Sequence, residues 1–238
     1  MKNAVVTGAT SGIGLAVAKK LVEMGYIVYG IGRNFDKVEV NEKFKKIVCD
    51  LTKVFDIEKT VKEIKKEAEI ELLVNCAGIG YFGPHEEINV NKLHNMIVLN
   101  LEAPLVLTQL FLRDFKKNRG TIINISSITA KKSSTYGCAY SATKAGLSHF
   151  SKGLFDEVRK TGVKVVTLHP DITKTSFYDH LDFCQGEDED SYITPECVAN
   201  AVEMVISQRE GTVLTDITLQ PQRHLIGKKN KKKVDKKD

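Results

Sequence analysis

The sequence predicts an α/β fold, a single doubly wound parallel sheet of about seven strands with helices on both faces. Short β-branched runs alternate with helical patterns of ten or more residues, and this alternation is typical of βαβ units. Strands such as VKVVTL at 163–168 are apolar almost throughout, as expected for strands that are covered on both faces. Because connections between parallel strands are right-handed, the helices divide between the two faces of the sheet.

The individual elements follow from local patterns. Strands are predicted where β-rich runs end at glycine or polar residues, at 4–7, 27–31, 45–49, 72–75, 120–126, 163–168 and 212–218. Helices are predicted where apolar residues recur at a spacing near 3.6, at 13–24, 53–68, 89–117, 137–160 and 195–207. Gly25 stands where the first helix would stop.

One domain at 1–227, followed by a Lys-rich tail at 228–238, accounts for the 238 residues. The net charge of +5 lies in the tail, which holds seven Lys and two Asp, whereas the domain holds 28 basic and 28 acidic side chains. A charged run of this kind is usually disordered and solvated. We therefore expect no basic face on the domain and no nucleic-acid partner.

The cysteines and the apolar segments indicate in which cellular compartment the protein is expected and whether it enters a membrane. Five cysteines are present and none forms a C-x-x-C pair, so we expect neither a disulfide framework nor a metal site. Free thiols suit a reducing, cytoplasmic location. We find no secretory signal and no apolar stretch of membrane-spanning length, and so expect no membrane segment.

A glycine-rich turn, TGATSGIG at 7–14, joins the first predicted strand to the first helix. Gly8 allows a tight turn, Gly12 lets the backbone approach a pyrophosphate, and Gly14 lets helix and strand pack closely. The pyrophosphate would accept hydrogen bonds from the free N–H groups at the start of the helix. The other turn residues expected to contact it are Thr10, Ser11 and Ile13. The turn predicts a Rossmann-like dinucleotide site.

The residues after the second strand select the cofactor. An acidic residue there would bind the ribose 2′-hydroxyl of NAD, but this chain has Arg33 and Asn34. Arginine pairs with a 2′-phosphate and Asn34 can add a hydrogen bond, so the sequence favours NADP(H). Further cofactor contacts are expected at the ends of the third and fourth strands, from Asp50, Leu51, Asn75, Ala77 and Gly78. Asp50 also suits a helix N-cap, and Asn75 also suits a turn.

A tyrosine and a lysine stand four residues apart in the helix at 137–160. Tyr140 and Lys144 therefore share one helical face, and we expect the ammonium group to lower the pKa of the phenol from about 10 toward neutrality. Ser127 ends the fifth strand, on the same rim of the sheet. Asn100 is a polar residue within an apolar helix and needs a polar partner. It is either a packing residue or the anchor of a water and proton relay.

These motifs together resemble those of the short-chain dehydrogenases/reductases. They are TGATSGIG at 7–14, NCAG at 75–78, Asn100, INISS at 123–127 and YSATK at 140–144, and the likeness covers about residues 3–220. The resemblance implies a catalytic tetrad of Asn100, Ser127, Tyr140 and Lys144. It also implies that Pro170, Ile172 and Thr175 contact the nicotinamide end of the cofactor.

The resemblance further implies an NADP(H)-dependent carbonyl reductase or alcohol dehydrogenase that acts on a small molecule. In that family the tyrosine exchanges a proton with the substrate oxygen while the nicotinamide exchanges a hydride with its carbon. Lys144 would lower the pKa of Tyr140 and hold the nicotinamide ribose, Ser127 would orient the carbonyl, and Asn100 would hold a water. Family members form dimers and tetramers through two long helices, which implies a homodimer or homotetramer.

Two alternatives remain open. A 3-oxoacyl thioester reductase of fatty-acid synthesis would need basic residues at the pocket mouth, and Lys131 and Lys132 lie near it. A catalytically idle NADP(H)-binding redox sensor would show an incomplete tetrad, whereas all four positions are filled here.

The chain departs from the family pattern at Asp171, where glycine commonly follows the proline. This departure bears on the nicotinamide contacts and on the substrate range. In the following loop we expect Phe177, Tyr178 and Phe183 to cap the pocket, and we interpret the acidic run at 187–190 as a solvated face.

Overall fold

A sheet of parallel strands forms the centre of the protein. A computed structural model describes residues 2–39 and 41–229. The strands in these residues are β1 (Asn3–Thr7), β2 (Ile27–Gly32), β3 (Phe44–Val48), β4 (Leu72–Asn75), β5 (Thr121–Ile125), β6 (Lys164–Pro170), β7 (Phe183–Gln185), β8 (Asp216–Leu219) and β9 (Ile226–Lys228). Seven of them pair in parallel in the order β3-β2-β1-β4-β5-β6-β8. The order reverses between β1 and β4, which opens a crevice at the carboxyl ends of these strands.

Helices cover both faces of this sheet. They are α1 (Gly12–Glu23), α2 (Val54–Glu67), α3 (Val90–Ile97), α4 (Ala103–Asn118), α5 (Cys138–Val158) and α6 (Pro195–Ile206). Successive residues of a strand point to opposite faces. Val6 belongs to the apolar core that contains α1 and α6, whereas Val5 belongs to the core that contains α2, α4 and α5. The prediction of a doubly wound parallel sheet is confirmed.

The seventh strand of the sheet is shorter than the sequence pattern predicts. The predicted strand covers 212–218, but β8 begins at Asp216. Val213 and Leu214 pack against the apolar core ahead of the strand. Their apolar character reflects this packing, which a β-rich pattern alone does not distinguish from a strand.

The C-terminal segment forms a small structure of its own that the sequence pattern does not predict. β7 and β9 pair in antiparallel orientation, apart from the main sheet. The main-chain N–H of Lys229 donates to the carbonyl oxygen of Asp182 (2.9 Å). The folded chain therefore extends past the predicted domain boundary at residue 227, and residues 230–238 of the Lys-rich tail lie outside the described residues.

The helical segment between β4 and β5 is interrupted by a π-helical turn. This turn, Val98–Glu102, separates α3 from α4 and contains Asn100, and such turns often occur at functional sites. By length and composition the segment Val90–Asn118 could cross a membrane, contrary to the sequence expectation. In this fold its apolar residues Leu107 and Phe111 are buried against the sheet, as in a core helix.

Candidate active site

A cleft of about 1100 Å³ lies at the carboxyl ends of the parallel strands. Most residues that the sequence predicts to be functional line it, namely Gly8, Thr10, Ser11, Gly12, Ile13, Gly14, Arg33, Asp50, Leu51, Ala77, Gly78, Ser127, Tyr140, Lys144, Pro170, Ile172 and Thr175. Asn34, Asn75 and Asn100 lie outside its lining. The topology thus gathers residues from both halves of the chain into one site.

The turn between β1 and α1 has no room for side chains at two of its glycines. Gly8 has a φ of +68°, and a Cβ there would lie 2.9 Å from the Cα of Ala77. A Cβ on Gly14 would lie 2.2 Å from the carbonyl oxygen of Gly8. No side chain caps the start of α1, and its first turn contains no acidic residue. The N–H groups of this turn therefore remain available to an anion, which fits a cofactor pyrophosphate.

Arg33 lies just beyond β2, at the rim of the cleft, and its side chain is exposed. Hydrogen bonds from Thr52 lower the pKa of nearby Asp50, and the charge of Arg33 adds to this effect. At Gly32, a Cβ would lie 2.3 Å from the methyl group of Thr10. The end of β2 therefore has no room for an acidic side chain unless Thr10 moves.

Two residues predicted to contact the cofactor form hydrogen bonds within the fold. The Asn34 amide donates to a carboxylate oxygen of Asp36 (2.9 Å), and its oxygen accepts from the Asp36 main chain (2.7 Å). Asn75 is buried beneath the cleft, where its amide donates to the Asn124 side chain (2.8 Å). Both side chains thus hold the local chain in place, and their contact with a cofactor stays a prediction.

Tyr140 and Lys144 share one face of α5 and are both buried in the floor of the cleft. Lys144 Nζ lies 5.9 Å from the centre of the Tyr140 ring and donates to the carbonyl oxygen of Ile125 (2.9 Å). Burial lowers the pKa of Lys144 to about 8. Burial and the neighbouring Tyr178 raise the pKa of Tyr140 above its ordinary value, although the Ser127 hydroxyl opposes them. The expectation of a lowered Tyr140 pKa is therefore wrong for this geometry.

The two adjacent serines at the end of β5 have different partners. Ser126 Oγ lies 2.9 Å from the carbonyl oxygen of Lys144 and 2.8 Å from Ser148 Oγ, so it joins β5 to α5. Ser127 Oγ accepts hydrogen bonds from the main chain (3.2 Å) and the hydroxyl (3.1 Å) of Thr129. Because these two donors occupy its acceptor positions, the Ser127 proton is left to donate to another oxygen.

Asn100 lies beneath the cleft and braces the loop after β4. Its amide donates to the carbonyl oxygen of Ile79 (2.8 Å) and to Thr143 Oγ1 (3.2 Å), and its oxygen accepts from the Ile79 N–H (2.9 Å). A Cβ on Gly78 would lie 3.2 Å from Asn100 Oδ1 and 3.4 Å from Lys144 Nζ. Gly78 therefore keeps open the space between these two groups. The water-holding role of Asn100 stays a prediction.

Aromatic rings surround the phenol of Tyr140. Phe82 and Phe177 lie 5.3 Å and 5.9 Å from it between ring centres. Phe183 contacts Phe82 (5.1 Å), and Tyr178 contacts both Phe177 (5.2 Å) and Phe183 (5.7 Å). The loop before β7 thus caps the cleft with aromatic residues. Phe82 belongs to the loop after β4 and carries no sequence motif that could have identified it.

Asp171 is buried in the cleft wall, where it pairs with two side chains whose proximity the sequence does not predict. His224 Nδ1 lies 3.0 Å from its Oδ1, and Lys132 Nζ lies 3.6 Å from its Oδ2. The main-chain N–H of Ile172 also donates to Oδ1 (2.8 Å). His224 and Ile226 both line the cleft. They were missed because the C-terminal segment carries no motif and reaches the site only through tertiary packing.

The acidic run at 187–190 binds this C-terminal segment. Arg223 forms ion pairs with Asp188 (2.8 Å) and Asp190 (2.7 Å). All four residues of the run are exposed, as a solvated face requires, and the run is in addition an attachment point for Arg223. Arg223 lies 33 residues after Asp190, and pairs at such distances cannot be inferred from one sequence.

Comparison with known proteins adds an independent observation to this geometry. The family described as short chain dehydrogenase matches residues 2–182 of the chain. The protein belongs to this family. The resemblance inferred from the motifs is confirmed, and the short-chain dehydrogenase is an oxidoreductase that uses a nicotinamide cofactor, which the glycine turn fits.

Three similar proteins illustrate the range of this dehydrogenase's relatives. An alcohol dehydrogenase from Thermococcus sibiricus, solved in complex with 5-hydroxy-NADP, has a TM-score of 0.85 and 25% identity, covering 93% of this chain and 97% of that one. A probable NADP-dependent dehydrogenase of Haemophilus influenzae is 30% identical over 237 residues, 92% of each chain. A serine 3-dehydrogenase of Agrobacterium fabrum is 29% identical over 229 residues, 91% of this chain and 92% of the relative.

Proposed function

We propose that the protein is an NADP(H)-dependent oxidoreductase that interconverts a carbonyl and a secondary alcohol, with Tyr140 as the acid or base. The observation that carries this proposal is the convergence of Ser127, Tyr140 and Lys144 in one cleft. The glycine turn lies in the same cleft, and Arg33 lies at its rim. One substrate can therefore meet a proton donor and a cofactor at the same place.

Two features of the rim favour NADP(H) over NAD(H). Arg33 offers an exposed guanidinium to a 2′-phosphate, and β2 ends in Gly32 rather than in the acidic residue that would bind a 2′-hydroxyl. The names of the Thermococcus and Haemophilus relatives point the same way. The first turn of α1 would bind the pyrophosphate and Lys144 the nicotinamide ribose. When bound, the cofactor supplies the hydride.

The protonation states of the site favour reduction. Burial keeps the Tyr140 phenol protonated through the neutral range, so it can donate to the oxygen of a carbonyl. Ser127 donates a hydrogen bond to the same oxygen and stabilises the negative charge that develops there. Lys144 is positively charged below about pH 8, and this charge stabilises the phenolate that proton transfer leaves behind.

The rings around Tyr140 favour a substrate that carries an apolar or aromatic group beside its carbonyl. Phe82, Phe177 and Phe183 supply only apolar contact at this part of the cleft, and burial of such groups is the main source of affinity in pockets of this kind. We therefore expect aryl ketones and aryl α-diketones to be better substrates than sugars.

The two alternatives gain less support. Lys131 and Lys132 form ion pairs with Asp216 and Asp171, which lowers their value as a phosphopantetheine site for a 3-oxoacyl thioester reductase. An idle redox sensor would not need Ser127, Tyr140 and Lys144 together in the cleft.

The test is the oxidation of NADPH, followed by its absorbance, with benzil, acetophenone, an acetoacetyl thioester, a 3-oxo ester and a sugar. NADH is assayed in parallel. We expect benzil to be reduced fastest and NADPH to be preferred. Reduction of the thioester alone would support the fatty-acid alternative, and tight NADPH binding without turnover of any compound would support the sensor.

Single substitutions test the role proposed for each residue. Tyr140→Phe should abolish benzil reduction and leave NADPH binding intact, whereas retained turnover would mean that another group is the acid. Phe177→Leu should raise the KM for benzil because it removes a ring beside the phenol. Phe55→Leu is the matched control, since Phe55 is exposed on α2 outside the cleft, and its kinetics should not change.

We also propose that the protein is a homodimer or homotetramer in a reducing, cytoplasmic compartment. Its five cysteines, Cys49, Cys76, Cys138, Cys184 and Cys197, are unpaired in the structure, which is compatible with that compartment. Sedimentation velocity measures the assembly directly, and a monomer at micromolar concentration would contradict it.

A further inference from the structure

A buried histidine lies directly behind the proposed catalytic serine. His169 is on β6 and its side chain is only 1% exposed. Its Nδ1 lies 3.1 Å from the carbonyl oxygen of Ser127. Its Nε2 lies 3.0 Å from Oδ2 of Asp216, a residue of β8. His169 does not line the cleft itself, and its contact with the Ser127 carbonyl links it to the site.

The chain of contacts continues from Asp216 to the surface. Lys131, which follows the short helical turn after Ser127, pairs with Oδ1 of Asp216 and donates to Thr218 Oγ1 (2.8 Å). Burial alone would raise the pKa of Asp216, but Lys131 and His169 outweigh this effect and hold the pKa below its ordinary value. Asp216 is therefore a carboxylate throughout the neutral range, and both of its oxygens can only accept hydrogen bonds.

Both nitrogens of the His169 ring thus face oxygens that cannot donate. A neutral imidazole has one N–H group, so it satisfies one of these two contacts and turns a lone pair toward the other oxygen. Only the doubly protonated ring donates to Ser127 and Asp216 at the same time. Among the described residues, the charged groups that act on the ring are Asp216 from β8 and Lys131 from the turn after β5.

We propose that His169 is a proton-dependent positioning residue, whose doubly protonated ring ties the main chain of Ser127 to Asp216 and so fixes the angle of the Ser127 hydroxyl toward the substrate oxygen. Loss of one proton leaves the charge-assisted bond to Asp216 in place and turns a lone pair toward the Ser127 carbonyl. The Ser127 carbonyl then keeps one partner, the N–H of Ala130 (3.0 Å). The proposal rests on the proposed function because it needs Ser127 to contact the substrate.

The direction of the pH effect follows from the surroundings of the ring. Burial lowers the pKa of His169 below its ordinary value, although the Ser127 carbonyl and Asp216 oppose this. The doubly protonated form therefore accumulates only on the acid side of the ordinary histidine pKa. We expect kcat for benzil reduction to rise as the pH is lowered through this range, with KM for NADPH unchanged.

A double-mutant cycle tests whether His169 acts through Ser127. At acid pH, where the doubly protonated ring accumulates, His169→Asn should lower kcat for benzil by roughly tenfold in the wild-type background. In the Ser127→Ala background it should lower kcat by less than about twofold, since the hydroxyl that it positions is then absent. Equal factors in the two backgrounds would show that His169 stabilises the fold generally and would overturn the proposal. If Ser127→Ala alone has full activity, the proposed function fails instead.

A second variant decides the point even if His169→Asn does not fold. In Asp216→Asn the amide can donate to Nε2, so a neutral ring can donate to Ser127 at all pH values. This variant should have at neutral pH the kcat that the wild type reaches only at acid pH, and so should lose the rise. Thr218→Val, which removes only the neighbouring hydroxyl, should keep the rise. An Asp216→Asn profile that matches the wild-type profile would overturn the proposal.

Discussion

Lys144 Nζ lies 5.9 Å from the ring centre of Tyr140 at the floor of the cleft, and both groups are buried. Burial acts on the two groups in opposite directions, because it penalises the charged form of each. It lowers the pKa of Lys144 to about 8 and raises that of Tyr140 above its ordinary value. Near neutral pH the pair therefore consists of a neutral phenol and an ammonium group that is close to losing its proton.

Because of this pair, the rate of reduction should depend on pH on the basic side of neutrality. Since Tyr140 stays protonated, the group that titrates first as the pH rises is Lys144, and its loss of charge near pH 8 removes the stabilisation of the phenolate formed in the reaction. We expect kcat for benzil reduction to fall above about pH 8. Single-turnover rates between about pH 7 and 10 measure it. A rate that is flat across this range would show that Lys144 does not supply the charge.

The same burial makes Lys144 costly for stability. The folded state depresses its pKa from 10.5 to about 8, so the charged lysine destabilises the fold at pH 7, and the cost disappears as the pH rises from 8 towards 10.5. We expect Lys144→Met to raise the free energy of unfolding at pH 7 by about 2 kcal/mol, because it removes a cost of roughly 3 kcal/mol for the buried charge and loses about 1 kcal/mol from the hydrogen bond to Ile125. The gain should shrink at pH 10. Urea unfolding at both pH values tests it, and a gain independent of pH would contradict the explanation.

Arg33 tests the choice of cofactor. Arg33→Ala should weaken NADPH binding roughly 10–100-fold, as expected for a lost charged pair with phosphate, and should change NADH binding by less than about threefold. Lys37→Ala is the control, because Lys37 is exposed and outside the cleft. Fluorescence titration with both cofactors gives the dissociation constants. Equal losses for NADPH and NADH would mean that Arg33 does not contact the 2′-phosphate.

Gly14 tests the packing of the glycine turn. A Cβ there would lie 2.2 Å from the main-chain carbonyl oxygen of Gly8, and a backbone atom cannot move aside as a side chain can. We expect Gly14→Ala to destabilise the fold by about 1–3 kcal/mol and to abolish NADPH binding. Gly153→Ala is the matched control, because no atom lies within 4 Å of its Cβ position in α5, and it should be neutral or stabilising by up to about 1 kcal/mol.

The parts of the site that the sequence predicts are those determined locally. The glycine turn, Arg33 and the Tyr140–Lys144 pair each lie within one short segment, and the alternation of strands and helices brings those segments to one edge of the sheet. The spacing of four residues correctly predicts that Tyr140 and Lys144 share a helical face. It could not predict the direction in which the Tyr140 pKa shifts from its ordinary value. That direction depends on burial and on Tyr178, which comes from another loop.

Other features depend on contacts between distant segments. Asn75 stands at a strand end, where a cofactor contact is a sound expectation, and its bond to Asn124, which is 49 residues away, follows only from the tertiary fold. The β7–β9 pair joins segments about forty residues apart in the chain, and short strands of this kind have too few residues for a periodic signal. His169 carries no motif at all and is recognised only by the two oxygens that face its ring.

Arg223 tests whether the C-terminal segment contributes to substrate binding. Its ion pairs with Asp188 and Asp190 hold this segment, which brings His224 and Ile226 to the cleft wall. Because these charges are exposed and screened by salt, Arg223→Ala should raise the KM for benzil about two- to fivefold at low salt, with kcat and NADPH affinity unchanged.

The salt dependence separates this explanation from a general loss of folding. In the wild type, KM for benzil should rise with ionic strength towards the value of the variant, whereas in Arg223→Ala it should stay constant, because the pairs that salt would weaken are already gone. Arg209→Ala is the control, since Arg209 lies in the turn after α6, away from the cleft lining. If wild type and Arg223→Ala show the same KM at low salt, the C-terminal segment keeps its place through its main-chain hydrogen bonds, β9 pairing and the Asp171–His224 contact.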